Sequence, residues 1–367
     1  MRDDFLTLAR LALTDKSQDI PLFLNKVARK CRDGDPELSG ELGSLVKAAT
    51  SRSSALRREA GVPVPVDSDS RLHLLRIESP NPDAPTPVFA PEIGHQILSL
   101  VRERREIERL TSSGLEPTKS ALFVGPPGVG KTMSARWIAS QLGLPLLVLD
   151  LSAVMSSFLG RTGNNVRAVL DYAKRQSCVL LLDEFDSIAK RRDDATEVGE
   201  LKRLVTVLLQ EIDDWPPSGM LIAATNHSEL LDPAVWRRFD LVVRFPSPAR
   251  EDVARAIRRL LGDDEGVGAE WIDVLSIVLG DASYSDIAKR IVHLRRAAVL
   301  DELRLDDEIQ KFVRQRVAEL PRSEKLELAE RLSAVSSISQ RAASEITGVS
   351  RDTIRKRSAK SAGGPHG

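Results

Sequence analysis

Apolar positions change their spacing along the middle of this chain. Between residues 92 and 246, helical spacing alternates with short, continuous apolar runs that are typical of strands buried on both faces. Such alternation predicts an α/β domain with a parallel sheet. The runs are ALFVG, LPLLVLD, CVLLLDE and GMLIAATN.

The regions on either side of this domain have helical periodicity instead. Residues 1–60 are predicted to form a helical N-terminal domain, and residues 247–320 a helical lid. Residues 61–91 are rich in proline, which excludes a continuous helix and predicts an extended linker. The last residues, 361–367, are expected to form a disordered tail.

A further helical pattern over residues 321–360 contains its own turn. SSISQRAASEITGVSRDTIRKRSAK resembles a helix-turn-helix with Gly348 at the turn, and SEKLELAERLSAV supplies a preceding helix. Such a unit can place its second helix in a major groove while basic residues contact phosphates. A DNA contact is therefore one interpretation, and a helical docking module or a solvated basic tail are the others. The basic residues are Arg351, Arg355, Lys356 and Arg357.

Composition limits the class of protein but names no substrate. The 367 residues are 42% hydrophobic and 29% charged, with 53 basic and 53 acidic side chains, which excludes collagen-like, disulfide-rich and wholly disordered chains. Zero net charge excludes a uniformly basic nucleic-acid binder but allows a local basic patch. Two distant cysteines and the lack of a long apolar stretch predict a cytoplasmic protein without a membrane contact.

A phosphate-binding loop follows the first apolar run. GPPGVGKT matches G-x-x-x-x-G-K-[ST] and leads into the helical pattern MSARWIASQL, which is the context that this motif requires. Its glycines let backbone N–H groups turn onto phosphate oxygens, its lysine brings a charge to the β and γ phosphates, and its threonine supplies a ligand for Mg²⁺. The residues predicted to bind ATP are Gly125, Pro126, Pro127, Gly128, Val129, Gly130, Lys131, Thr132 and Met133.

Two carboxylates end the run CVLLLDE. Asp183 and Glu184 are expected at the carboxyl edge of the sheet, where α/β folds bind ligands. We expect Asp183 to hold Mg²⁺ together with Thr132, and Glu184 to polarise the attacking water. Such a pair alone is more often a helix cap or a solvated turn, but the upstream phosphate-binding loop favours the catalytic interpretation. Asp186 is expected to be the N-cap of the following turn.

These motifs together resemble the AAA family of AAA+ ATPases over residues 92–300. In LIAATNHSELLDPAVWRRFD, Asn226 matches the family's polar sensor, which helps to position water against the γ-phosphate. Arg237 and Arg238 match the arginine fingers, which project into the ATP site of the neighbouring subunit, where a guanidinium can spread over transition-state charge. Many relatives separate the two arginines by a Pro-Gly pair that is missing here, which leaves open which one is the finger.

The resemblance also implies an assembly and a channel. An arginine finger supplied by a neighbour requires an oligomer, and the family's usual assembly is a homohexameric ring. SSFLGRTGNNVRAVLDYAK resembles the first pore loop, with Phe158 and Leu159 at the positions that contact a polypeptide in relatives. A core anchor is the alternative for Phe158. Arg161 stands where many relatives carry Glu.

The helical lid departs from the family pattern. DASYSDIAKRIV resembles the sensor-2 segment, but Tyr284 stands at a position that is usually glycine. The Asp-Val-Gly-Gly element that precedes the phosphate-binding loop in relatives is absent, so the sequence does not place the adenine pocket.

The function that the resemblance implies is ATP hydrolysis, with Mg²⁺, coupled to remodelling or threading of a protein substrate. More narrowly, RRDDATEVGELKRLVTVLLQEIDDW and PVDSDSRLHLL are similar to stand-alone bacterial ATPases that are paired with a subtilisin-like serine protease in anti-phage defence. The chain has no persuasive Ser-His-Asp constellation of its own, so such a protease would be a partner. The alternative is an ATP-switched, DNA-associated regulator that uses the C-terminal segment.

Overall fold

The computed structural model describes Pro65 and residues 74–152, 162–188, 197–262 and 267–362. The predicted helical N-terminal domain therefore lies outside the described residues, as do the proposed pore residues Phe158 and Leu159. Within the described ranges, no helix is long and apolar enough to span a bilayer.

A single sheet organises the α/β part of the described chain. The strands are β1 (Arg76–Glu78), β2 (Ser120–Val124), β3 (Leu146–Asp150), β4 (Val179–Asp183), β5 (Met220–Thr225) and β6 (Leu241–Arg244). They lie in the order β1-β3-β4-β5-β2-β6, and every neighbouring pair is parallel except β1 with β3. The apolar runs become β2 to β5, which confirms the predicted α/β fold with its parallel sheet.

Helices cover the sheet because its central strands are buried along almost their whole length. These helices are α1 (Pro91–Arg105), α2 (Ile107–Ser112), α3 (Lys131–Leu142), α4 (Thr162–Lys174), α5 (Glu197–Asp213) and α6 (Pro233–Trp236). In one apolar cluster, Ile97 of α1 and Ile138 of α3 pack with Phe123 of β2. The rings of Phe123 and Phe245 lie 5.2 Å apart within the same cluster.

The remainder of the described chain is helical. Its helices are α7 (Arg250–Leu261), α8 (Ala269–Val278), α9 (Tyr284–Leu300), α10 (Leu305–Arg316), α11 (Arg322–Ala334), α12 (Gln340–Thr347) and α13 (Arg351–Ala362). One buried apolar cluster includes Leu275 and Ile291 of the lid together with Leu328, Ile346 and Ile354 of the C-terminal segment. The core therefore continues across residue 320, where the sequence predicts a domain boundary.

The strand order brings distant parts of the sequence to one edge. β5 lies between β4 and β2, so the carboxyl ends of these three strands are adjacent although they are far apart in the chain. The phosphate-binding loop follows β2, Asp183 ends β4, and Asn226 follows β5. The topology thus assembles the site that the motifs predict.

Candidate nucleotide-binding site

The loop between β2 and α3 is shaped by glycines in conformations that other residues avoid. Gly128 has a φ of 76°, and a Cβ at this position would lie 2.4 Å from the hydroxyl oxygen of Ser283 in the lid. The Gly128 carbonyl accepts a 3.1 Å hydrogen bond from the Ser285 N–H. A Cβ on Gly125 would lie 2.2 Å from the carbonyl oxygen of Phe245. The loop is therefore packed tightly between the sheet and the lid.

Lys131 begins α3 and its side chain turns back into the loop. Its Nζ donates hydrogen bonds to the carbonyls of Gly125 (2.7 Å) and Pro126 (2.8 Å) and to Oδ1 of Asn226 (2.7 Å). The side chain is buried, and this desolvation lowers the pKa of Lys131 to about 8, against the opposing effect of the nearby Asp183 and Asp186 carboxylates. These three acceptors fix the position of the ammonium group in the loop.

The carboxyl end of β4 supplies the acidic side of the site. The Thr132 hydroxyl donates a 3.0 Å hydrogen bond to Oδ2 of Asp183, so the two predicted Mg²⁺ ligands are in contact. Glu184 follows with a φ of 52°, a left-handed conformation that is rare for a residue with a side chain. Strained backbone of this kind is concentrated at functional sites. The exposed Glu184 carboxylate borders the same cavity as Asp183.

Asp186 is not the N-cap of the following turn, which is the position that the sequence predicts. It lies inside the short 3-10 turn Phe185–Ile188 rather than before it, and its side chain is buried. Its Oδ1 accepts hydrogen bonds from the Thr225 hydroxyl (3.1 Å) and from the Asn226 N–H (3.3 Å). Asp186 therefore joins the end of β4 to the end of β5 and fixes the backbone of Asn226. The sequence motifs do not predict this role, since only the strand order makes β4 and β5 neighbours.

A cavity of about 1480 Å³ opens beside the loop. The lid contributes Ala256, Leu260, Tyr284 and Ala288 to its wall, and the linker contributes residues 85–88. Burial raises the pKa of the Tyr284 hydroxyl to about 12, with a further contribution from Asp252, so this phenol remains a neutral donor. The structure thus supplies an apolar compartment next to the phosphate-binding loop, which the sequence did not place.

The lid and the linker are joined beside this cavity. Arg255 of α7 donates a 2.7 Å hydrogen bond to the carbonyl of Phe89 and forms an ion pair with Asp252. The Phe89 ring packs edge-on against Trp137 of α3, with ring centroids 5.8 Å apart. The helix that begins at Lys131 is therefore in contact with the linker that lines the cavity.

The two arginines after α6 have different surroundings. Arg238 forms an ion pair with Asp213 at the end of α5. Arg237 is exposed, and its side chain has no hydrogen bond or ion pair with a described residue. Neither residue lines the cavity of its own chain, so within this chain neither arginine joins the predicted site.

The other predicted residues divide into those at the cavity and those behind it. Val129 is buried in the apolar core beneath the loop, and Gly125 and Pro126 contribute the carbonyls that Lys131 contacts. Among the described side chains, no group of three or more His, Cys, Asp and Glu residues is placed to hold a metal ion. The predicted residues that line the cavity are Pro127, Gly128, Gly130, Lys131, Thr132, Met133, Asp183, Glu184 and Asn226.

The segment that contains these site residues matches a known protein family. The sequence pattern of the ATPase family associated with various cellular activities (AAA) matches residues 121–247, from β2 to just beyond β6. Residues 121–247 are an AAA ATPase domain. The matched segment contains the whole loop from Gly125 to Thr132, both carboxylates, Asn226 and both arginines.

Relatives of the AAA domain agree with this assignment. "Uncharacterized AAA family ATPase y4kL" of Sinorhizobium fredii is 45% identical over 162 residues, which are 44% of this chain and 49% of that protein. "Proteasome-activating nucleotidase 1" of Haloferax volcanii is 30% identical over 264 residues, which are 67% of this chain and 63% of that protein. The chain spans about half the length of the curated relatives that it matches.

A solved structure shares the fold of the AAA domain and its lid. The crystal structure of the FIGL-1 AAA domain superimposes with a TM-score of 0.52 and covers 78% of this chain and 91% of its own, at 18% identity. The likeness therefore extends beyond residues 121–247.

The AAA domain fits a bound nucleoside triphosphate. A buried ammonium in the loop is a donor that phosphates require, and a threonine in contact with a carboxylate supplies oxygen ligands of the kind that Mg²⁺ requires. Lys131 and the loop N–H groups would hold the phosphates. Thr132 and Asp183 would hold Mg²⁺.

Proposed function

We propose that this protein hydrolyses ATP to ADP and phosphate. The observation that carries the proposal is the meeting of Lys131, Asp183, Glu184 and Asn226 at one edge of the sheet beside a cavity that admits a nucleotide. Mg²⁺, when bound with ATP, neutralises phosphate charge. The Glu184 carboxylate accepts a proton from the attacking water, and Lys131 and Asn226 orient the groups around it.

The exposed Arg237 fits a site that is completed by a second copy of the chain. Its guanidinium has no partner among the described residues and lies away from the cavity of its own chain, whereas Arg238 is held by Asp213. We therefore assign the finger role to Arg237, with Arg238 as a positioning residue. The assembly that this requires is a homo-oligomer, and we favour a homohexameric ring in the cytoplasm.

The ATPase cycle in this proposal drives the remodelling or threading of a protein substrate. Support comes from the likeness to proteasome-activating nucleotidases and from Phe158 and Leu159, which match the pore positions of the AAA family. The threaded chain would pass to a partner serine protease of the subtilisin type, which would degrade it in anti-phage defence. The alternative function is an ATP-switched regulator on DNA, in which little threading occurs.

Substrate processing distinguishes these functions. The experiment follows the ATP-dependent loss of fluorescence from a fluorescent protein that carries an unstructured tail. Phe158→Ala should abolish this loss while sparing nucleotide binding. If the fluorescence loss is the same in Phe158→Ala as in the wild type, the threading function is wrong.

A further inference from the structure

A short turn over residues 348–350 joins the last two helices, as in a helix-turn-helix. The Ser339 hydroxyl caps α12 by accepting a hydrogen bond from the Ala342 N–H (3.1 Å), and α12 ends at Gly348, whose φ is 71°. The Ser350 hydroxyl then accepts a 3.3 Å hydrogen bond from the Thr353 N–H at the start of α13. Ile354 is buried in the lid core, which fixes the face that α13 exposes.

The exposed face of α13 carries three cations that contact no described acidic side chain. Arg351, Arg355 and Lys356 are exposed, and none of them has a hydrogen bond or ion pair with a described residue. Arg351 and Arg355 are four residues apart and therefore adjacent on the helix surface. In contrast, Arg357 is engaged with Glu330 of α11, with Nε and Oε2 3.3 Å apart. Asp352 is the only acidic residue among the α13 side chains that the structure describes.

We propose that the exposed face of α13 binds the phosphate backbone of duplex DNA. Arg351, Arg355 and Lys356 have no partner among the described residues and lie on the second helix of a helix-turn-helix. They suit a groove lined by phosphates, since that helix is the one that enters the major groove in this motif. Each phosphate contact releases counterions, which makes the affinity depend on salt. This inference goes beyond ATP hydrolysis and holds whether or not the protein threads a substrate.

The C-terminal segment that carries α13 shares its apolar core with the lid. Arg331 of α11 and Asp273 of α8 form an ion pair of 3.0 Å, and Leu328 and Leu332 of α11 are fully buried in the core that they share with the lid helices. The same lid contacts the phosphate-binding loop through the Ser285 N–H. DNA bound to α13 would therefore lie on the element that borders the nucleotide cavity.

The salt dependence of DNA binding tests the proposal. Fluorescence anisotropy of a fluorescein-labelled duplex of random sequence is recorded with the full chain over a series of KCl concentrations. The wild type should bind with log K falling linearly with log[KCl]. R355Q/K356Q should reduce the slope by about 2, because each lost phosphate contact removes about 0.9 from it.

The matched control is R314Q/R322Q, which makes the same charge change on α10 and α11. Both arginines are exposed and lie outside α12 and α13, so this variant should keep the wild-type slope. Circular dichroism melting curves verify that both variants fold as the wild type does. Absence of binding by the wild type, or equal slopes for the two variants, would overturn the proposal. Equal affinity for polyglutamate and for the duplex would also overturn it and would assign the face to an acidic protein.

Discussion

The Nζ atom of Lys131 lies 2.7 Å from Oδ1 of Asn226, so the lysine of the phosphate-binding loop is in direct contact with the residue that follows β5. The two residues are distant in the sequence, but β2 and β5 are paired along their lengths. The contact keeps the ammonium group beside the Asn226 amide. It also means that a change at either residue alters the surroundings of the other.

Removal of the sensor amide should impair hydrolysis more than binding. In Asn226→Ala, Lys131 keeps its two carbonyl partners but loses the side chain that orients it. We expect the rate of ATP hydrolysis to fall about 10²-fold, the effect typical of losing one polar group at a reacting centre, with little change in ATP affinity. Steady-state turnover and fluorescent-nucleotide titration measure the two quantities. Asn81→Ala, at an exposed turn in the linker, is the control and should behave as the wild type.

Gly128 should tolerate no side chain. Gly128→Ala would strain a backbone with φ of 76° and push a Cβ against Ser283, which caps α9. Because such strain costs on the order of 1–3 kcal/mol, we expect ATP affinity to fall about tenfold or more. Calorimetric titration with a non-hydrolysable ATP analogue gives the affinity.

A second glycine supplies the control for that substitution. Gly163 lies in α4, and a Cβ there would meet nothing within 4 Å. Gly163→Ala should therefore bind the analogue as tightly as the wild type. Equal affinities for Gly128→Ala and Gly163→Ala would show that the contact between the loop and the lid does not shape the site.

Much of this site can be predicted from the sequence, because its chemistry is carried by residues next to strand ends. The apolar runs before Gly125 and at Asp183 identify both the strands and the edge where the ligands lie. The sequence does not predict the strand β6, since its apolar run of Leu241, Val242 and Val243 is short. β1 lies in the linker, where proline content predicts extended chain but says nothing of the antiparallel pairing with β3.

Other features depend on contacts between distant segments. The residues next to Asp186 in the chain predict a helix cap. Its buried carboxylate instead accepts hydrogen bonds from Thr225 and Asn226 at the end of β5. The compartment beside Tyr284 needs the lid and the linker to meet across the loop, which no local pattern encodes. The ion pair between Arg238 and Asp213 likewise arises from packing, and it distinguishes two arginines that the sequence leaves equivalent.

The two arginines should respond differently to substitution. Arg237→Ala should retain ATP binding and lose hydrolysis by about 10³-fold, the lower end of the effect of an arginine finger. Arg238→Ala should have a smaller effect, because Arg238 is paired within its own chain. Turnover is measured at saturating ATP for each variant.

Mixed assemblies test whether the finger acts between subunits. Arg237→Ala protomers keep Glu184, and Glu184→Gln protomers keep Arg237. A mixed assembly therefore contains sites with both residues and should hydrolyse ATP faster than either variant alone. If Arg237→Ala alone turns over like the wild type, the finger assignment is wrong. If the mixture shows no recovery, Arg237 does not complete a neighbour's site.

ATP turnover by Glu184→Gln tests the central claim most directly. The substitution removes the carboxylate that accepts the proton but keeps the size of the side chain, so ATP should still bind while turnover falls by about 10³-fold. The control is Glu229→Gln, which changes an exposed carboxylate in the turn after β5 and should leave turnover unchanged. Loss of turnover with retained ATP binding in Glu184→Gln is the predicted result. Turnover equal to that of the wild type would contradict the assignment of this site as the place where ATP is hydrolysed.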